Sequence, residues 1–364
     1  MNFYENELAA LKRSGRFRER QVYDESIIDL ASNDYLGLAH AKMLAIKAFY
    51  RLNEFEAHAA KASMLVNGYH QIHKEFEEAL SVANGFEEGI VVGSGFSANL
   101  AMIESLVRRG DALFMDEKYH ASGVVATKLL DVEVIFFKHN DANDLRFKML
   151  QNSAKRKIIA VEGIYSMDGD LLEREIIAIA DEFEALLILD EAHSSGVIGE
   201  NMMGVLDYYQ IPVKENYIKM GTLGKAYGSF GGYILSTSHV ISFLLNRAKP
   251  IIYATAPSLF ETALSHESLK HIIENSGDLH QKVLQNQTLI KEELGLSIGG
   301  LIAPIIVGDN RKVMQIKEIL LEKNILVGAI RQPTVDSAII RLIARVGVSQ
   351  KHMRDACKVI ATFG

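Results

Sequence analysis

The sequence predicts an α/β protein with a large, mostly parallel sheet domain followed by a smaller C-terminal α+β domain. Two observations carry this expectation. Through the middle of the chain, short apolar runs alternate with longer amphipathic ones, and the runs are continuously apolar, as strands covered on both faces should be. After about residue 240 the rhythm breaks, with Pro250 and Pro257 interrupting it.

Taken in order, residues 1–45 open on a polar helix and form an N-terminal segment. Residues 46–245 are the large domain. Its strands are Ile90–Val92, Ala112–Met115, Val132–Phe137, Ile158–Val161, Leu186–Leu189 and Tyr217–Met220. Phe96–Val107, Ala121–Leu129, Asp141–Leu150 and Glu173–Phe183 have helical patterning between them. Residues 246–364 form the small domain, with helices near Ser258–Asn275 and Gln281–Glu292 and strands Leu301–Ile306 and Ala338–Ile343.

Composition narrows the function. A chain of 364 residues suits a large domain plus a small one. No apolar run is long enough to cross a bilayer, and the first twenty residues lack the apolar stretch of a secretory signal. The single cysteine, Cys357, excludes an internal disulfide framework and a multi-cysteine metal site, so no metal and a cytoplasmic location are expected. A formal charge of −7 argues against a nucleic-acid binder; Arg16, Arg18 and Arg20 read as a solvated basic face.

Five motifs carry chemistry. In ALLILDEAHSSGVIG, Asp190 falls at the carboxyl end of a buried strand, where parallel sheets bind ligands. A carboxylate there can pair with a protonated ring nitrogen, and His193 can reach a phenolic oxygen of the same ring. A helix cap and a surface histidine fit those two residues equally well. In KMGTLGKAYGSFGG, Lys225 stands among glycines just past a strand, a poor packing solution but a good one for an imine-forming amine, with Thr222 able to donate to a phosphate. Lys219 and Ala226 rule out a nucleotide P-loop. In IVVGSGFSANLAM, a strand runs through glycines into a helix start, where the N–H groups of Gly95 and Phe96 form an anion site. Gly93, Gly95 and Ala98, followed by Asp116, also match a dinucleotide pattern, so a nicotinamide-dependent dehydrogenase is the rival reading. His120 follows a strand and can stack on a planar ring, or be a core histidine; Ser166 lies in the turn YSMDGD. In succession these supply the contacts that pyridoxal 5′-phosphate (PLP) requires: phosphate, ring face, ring nitrogen, phenolic oxygen and aldehyde.

Together with SNDYLGL at Ser32–Leu38, EGIYSMDGD, DEAHSSGVIGE and GTLGKAYGSFGG, these residues resemble the α-oxoamine synthase family, from about Leu8 to Ile343. The resemblance implies the aspartate-aminotransferase-like fold (PLP fold type I) and a homodimer with each active site at the subunit interface. It implies that Lys225 holds PLP as a Schiff base and that His120 stacks on the ring. Asp190 would pair with the ring nitrogen, and His193 and Ser166 would reach the phenolic side. Gly95, Phe96 and Thr222 would hold the phosphate, and Thr255 the phosphate of the partner subunit. Asn33, Thr334 and Arg341 match amino-acid-substrate positions, Arg341 as the carboxylate clamp, and Arg18 matches an acyl-substrate position.

Within the family, NGYHQIHKEFEEAL and the short chain resemble most the branch that condenses L-alanine with a pimeloyl thioester, carried by acyl carrier protein or coenzyme A. That branch yields 8-amino-7-oxononanoate, CO2 and free thiol, for biotin synthesis. The alternative is a glycine-using branch such as 2-amino-3-ketobutyrate ligase. One stretch departs from the family pattern: HAAKASM puts Ala59, Lys61, Ala62 and Met64 where small, flexible residues are usual.

Overall fold

The structure, a computed structural model, describes residues 3–363. In chain order, the first elements are helix α1 (Glu5–Arg13), strand β1 (Ile28–Leu30), α2 (Lys42–Leu52), α3 (Gln71–Asn84), β2 (Glu88–Val92) and α4 (Gly95–Leu106). Next come β3 (Asp111–Asp116), α5 (Ala121–Thr127), β4 (Glu133–Phe137), α6 (Ala142–Gln151), β5 (Arg156–Glu162), α7 (Arg174–Glu182) and β6 (Leu186–Asp190). The chain continues through α8 (Val205–Tyr208), β7 (Tyr217–Thr222), β8 (Gly232–Ser236), α9 (Ser238–Arg247), α10 (Lys249–Ile252), α11 (Leu259–Glu274) and α12 (Ser276–Leu294). It closes with β9 (Ile302–Gly308), α13 (Asn310–Glu322), β10 (Ile325–Ile330), β11 (Ala338–Ile343) and α14 (Gln350–Ala361).

Two compact units result. Among the described residues, the larger comprises 34–166 and 170–282; the smaller comprises 3–33, 167–169 and 283–363. This division differs from one drawn near residue 246. Helix α11 packs on α2 and α3 of the larger unit, with Leu259 and Ala263 meeting Ala48 and Ile72 in one buried cluster.

The larger unit holds a seven-stranded sheet in the order β2-β8-β7-β6-β5-β3-β4. Strands β7, β6, β5, β3 and β4 run parallel; β8 is antiparallel to both β2 and β7. Burial explains the apolar runs. Leu187, Ile188 and Leu189 of β6 are fully buried, each contributing about 1.5–3 kcal/mol relative to exposure. Strand β8 lies in GGYILS, a run so close to the glycine-rich loop that sequence patterning left it unread. Gly232 at its start is required by space: a Cβ there would lie 2.7 Å from Gly95 N and Ser94 C.

The smaller unit has a four-stranded sheet, β1-β10-β11-β9, in which β1 from the N-terminal segment pairs parallel with β10. Strand β11 is buried along its whole length and pairs antiparallel with both β10 and β9.

Candidate active site

In the larger unit, parallel strands aim their carboxyl ends at one set of loops, and the chemistry-bearing residues sit there. Asp190 ends β6 and is 3% exposed. Its Oδ2 accepts from Asn99 Nδ2 at 2.7 Å and its Oδ1 from the Ala192 N–H at 3.0 Å. Three residues on, buried His193 places Nε2 2.8 Å from Lys225 Nζ, and Lys225 itself follows β7, the parallel neighbour of β6. Asp190, His193 and Lys225 therefore belong to two adjacent strand ends.

His120 caps α5 through Nδ1, which accepts from the Ser122 N–H at 3.3 Å and lies 2.7 Å from Ser122 Oγ. Burial holds its pKa below the ordinary histidine value, with the Lys225 charge adding to that and Asp190 opposing it. A neutral imidazole is the form suited to lying against an aromatic ring. Asn99 was missed by sequence reasoning, although an amide among Ala98, Ala101 and Met102 on a buried helix face was its signal. It links the two catalytic candidates: one amide hydrogen goes to Asp190, another to Ser122 Oγ at 2.9 Å, and its carbonyl accepts from Tyr119 Oη at 2.7 Å.

The anion site also forms. Ser94 caps α4 by accepting from the Ser97 N–H, so Gly95 and Phe96 stand in the first turn with N–H groups that have no intrahelical acceptor. Thr222 lies beside them, its Cβ 3.4 Å from where a side chain on Gly95 would begin. Its hydroxyl donates to Gly231 O at 3.1 Å and accepts from the Gly224 N–H at 3.3 Å.

A second buried acid, also unread in the sequence, completes the floor. Glu162 ends β5 and is the register partner of Asp190. Burial, followed by the Asp190 charge, pushes its pKa well above the carboxylate range. Its Oε2 accepts from the Ser166 N–H at 3.3 Å, tying Ser166 to the strand end; its Oε1 finds no hydrogen-bond partner among the described residues. Thr255 is exposed in the loop after α10.

The dinucleotide alternative fails on geometry. Asp116 Oδ2 accepts from Tyr165 Oη and the Asn140 N–H, both at 2.8 Å. Its Oδ1 takes the Lys118 N–H at 2.8 Å and faces His139 Nδ1 at 3.1 Å. A carboxylate so occupied has no face for a ribose. The stretch that departs from the family pattern, with Lys61 at φ 70°, runs into a short π-helical turn over Met64–Gly68.

The smaller unit groups its own candidates in pairs. Arg341 on β11 is buried and donates from Nη1 to Asn33 Oδ1 at 2.9 Å. Arg18 and Thr334, both exposed, meet through Arg18 Nη2 and Thr334 Oγ1 at 3.0 Å.

Known proteins resemble this chain over nearly its whole length. The family model for aminotransferase class I and II matches residues 25–360. An 8-amino-7-oxononanoate synthase of Helicobacter pylori (strain ATCC 700392 / 26695) is 44% identical over 98% of this chain and 95% of its own length. That of Geotalea daltonii is 34% identical over 100% and 98%. Among solved structures, 8-amino-7-oxononanoate synthase from Francisella tularensis superposes with a TM-score of 0.79 at 27% identity, covering 93% of this chain and 98% of that one. Serine palmitoyltransferase from S. paucimobilis, with PLP and myriocin bound, has a TM-score of 0.89 at 21% identity and covers 99% and 96%. At that identity the likeness concerns the fold.

Proposed function

Because this chain belongs to the aminotransferase class I and II family and, within it, to the 8-amino-7-oxononanoate synthases, we propose that Lys225 is the residue that holds its PLP. The protein is a PLP-dependent acyltransferase that condenses L-alanine with a pimeloyl thioester, releasing CO2 and free thiol, in biotin synthesis. The observation that carries the residue assignment is the amine of Lys225, 2.8 Å from His193 and one strand away from buried Asp190.

The residues fit the cofactor. Gly95 and Phe96 offer N–H groups to a phosphate, Thr222 a hydroxyl beside them, Asp190 a buried carboxylate to a ring nitrogen, and neutral His120 a flat face. Glu162 Oε1, buried without a partner, is the kind of orphaned atom that a bound polar group relieves. When bound, PLP supplies an electron sink for the bond broken at the substrate's Cα.

The chain's own residues do the rest. Asp190, fed by two N–H donors, presents a carboxylate that keeps the ring nitrogen protonated. Lys225 Nζ, once free, takes the proton from Cα of alanine and returns one to the product. Arg341 is the clamp for the alanine carboxylate, since a guanidinium can grip both oxygens in one plane; Asn33 fixes its orientation. Thr334 and Arg18, hydrogen-bonded together, serve the amino-acid and acyl substrates. The acyl carrier is coenzyme A or acyl carrier protein. Both bear phosphate, and a cavity of about 590 Å³ in the smaller unit, lined by Lys12, Arg13, Arg311 and Arg331 against Asp309 and Glu318, suits such an anion.

The working form is a homodimer in which Thr255 reaches the phosphate of the partner subunit. Support comes from an exposed Thr255 in a loop that also exposes Tyr253, together with exposed Phe96 at the phosphate site and Phe230 in the lysine loop. Borohydride reduction of the PLP-loaded protein tests the central assignment: the pyridoxyl label should map to the peptide containing Lys225. A label on another lysine, or none, overturns it.

A further inference from the structure

From the geometry around His193 we infer that Tyr35 is a positioning residue that pairs with Nδ1 of His193 whichever ring nitrogen carries the proton, and so holds the ring in place while its tautomer changes; this rests on the reading of Lys225 as the cofactor-holding lysine. Tyr35 is fully buried, and its hydroxyl is hydrogen-bonded to His193 Nδ1. The other ring nitrogen, Nε2, is 2.8 Å from Lys225 Nζ. The rings of Tyr35 and His193 meet edge to face with centroids 6.0 Å apart. The three groups thus form one line: phenol, imidazole, amine.

The segment bearing Tyr35 is held against the loop bearing Lys225. Gly228, three residues past the lysine, approaches it so closely that a Cβ would lie 2.4 Å from Ala39 N and 2.5 Å from Leu38 C. The Asp34 carbonyl accepts from the Gly37 N–H at 3.1 Å, and Asp34 Oδ1 from the Ala39 N–H at 3.2 Å, closing the turn around Tyr35. The phenol is therefore built into the same rigid loop cluster as the amine.

Proton bookkeeping gives the phenol its task. A neutral imidazole carries one N–H, so its two nitrogens always differ in role. When Lys225 is a free ammonium and donates to Nε2, the ring proton sits on Nδ1, and Nδ1–H donates to the Tyr35 oxygen. When His193 must instead donate from Nε2 to an oxygen of the cofactor ring, Nδ1 is bare and needs a donor; the Tyr35 O–H then turns to supply it. A hydroxyl can do both, and few other buried groups can. Tyr35 lets His193 exchange tautomers without charging and without stranding a buried nitrogen.

The test uses the full-length protein labelled with 15N-histidine, with and without PLP, as wild type and as Tyr35→Phe. The wild type should show His193 protonated on Nδ1 without PLP and on Nε2 with it. Tyr35→Phe strands Nδ1 in either state, so it should show mixed tautomers in both states and a lowered thermal midpoint. It should also show a kcat for condensation lowered about tenfold, with KM for L-alanine within about twofold of wild type. A wild-type enzyme with the same tautomer in both states, or a variant that switches as cleanly as wild type with its thermal midpoint unchanged, overturns the assignment. Borohydride mapping on the same samples separates the two levels. Loss of the Lys225 label refutes the parent reading, whereas a labelled enzyme with an unswitched His193 refutes the role of Tyr35 alone.

Discussion

Asn99 ties together two of the residues proposed to meet the cofactor, Asp190 and His120. Its amide hydrogens reach Asp190 and Ser122, and Ser122 in turn pairs with His120 Nδ1. Asn99→Ala would leave Tyr119 Oη and one Asp190 oxygen buried without these partners, a penalty of about 1–3 kcal/mol for each. Part of that penalty falls on the placement of Asp190 and His120. The expected outcome is a kcat/KM for L-alanine lowered about 10- to 100-fold, measured by thiol release from a pimeloyl thioester. Kinetics within twofold of wild type would show that Asp190 and His120 hold their places unaided. Asp190, His193 and Lys225 were legible in the sequence because each sits at a strand end beside glycine or another polar residue. Asn99, Glu162 and Tyr35 were not, because their partners lie far along the chain: Asn99 and Asp190, for instance, are joined only by the fold.

At the scale of elements, the same distinction separates what patterning reveals from what packing decides. Strands β3, β5 and β6 announce themselves as apolar runs because successive residues are buried on both faces. Strand β8 does not, since it follows a glycine-rich loop and enters antiparallel between β2 and β7. The loop after β5 that carries Ser166 is anchored by a contact no local pattern predicts. His139 Nδ1 lies 3.1 Å from Asp116 Oδ1, at the end of β3, and Nε2 lies 3.1 Å from Asp170 Oδ2. Burial works against the charged imidazole, but the two carboxylates prevail and raise its pKa to about 9.

Raised in the fold relative to about 6.5 in an unfolded chain, this group contributes stability that is fully present below pH ~6.5 and is lost as pH climbs through ~9. The contribution is on the order of 3 kcal/mol at most. Thermal midpoints of wild type and His139→Gln, compared at pH 6 and pH 9.5, should differ at the lower pH and converge at the higher. A gap that stays constant across that range would mean His139 is not charged between its two acids.

At the scale of the whole molecule, the assembly should govern activity. Each active site of the proposed dimer draws its amine from one chain and a phosphate contact, Thr255, from the other. Isologous two-fold pairing makes this testable by mixing. Lys225→Ala removes the amine but leaves Thr255 intact; Thr255→Arg blocks the phosphate contact but leaves Lys225 intact. Each variant alone should be inactive or nearly so. In a hybrid dimer, one site combines both defects and the other combines both intact residues. After unfolding and refolding together at equal concentration, half of the dimers are hybrids with one working site each, so about one quarter of wild-type activity should return. A monomer, or a dimer whose sites are complete within one chain, would recover nothing from the mixture. Sedimentation of the wild type should give about twice the 40.4 kDa chain mass, so that a null mixing result at that mass would move Thr255 out of the partner's site while leaving the dimer in place.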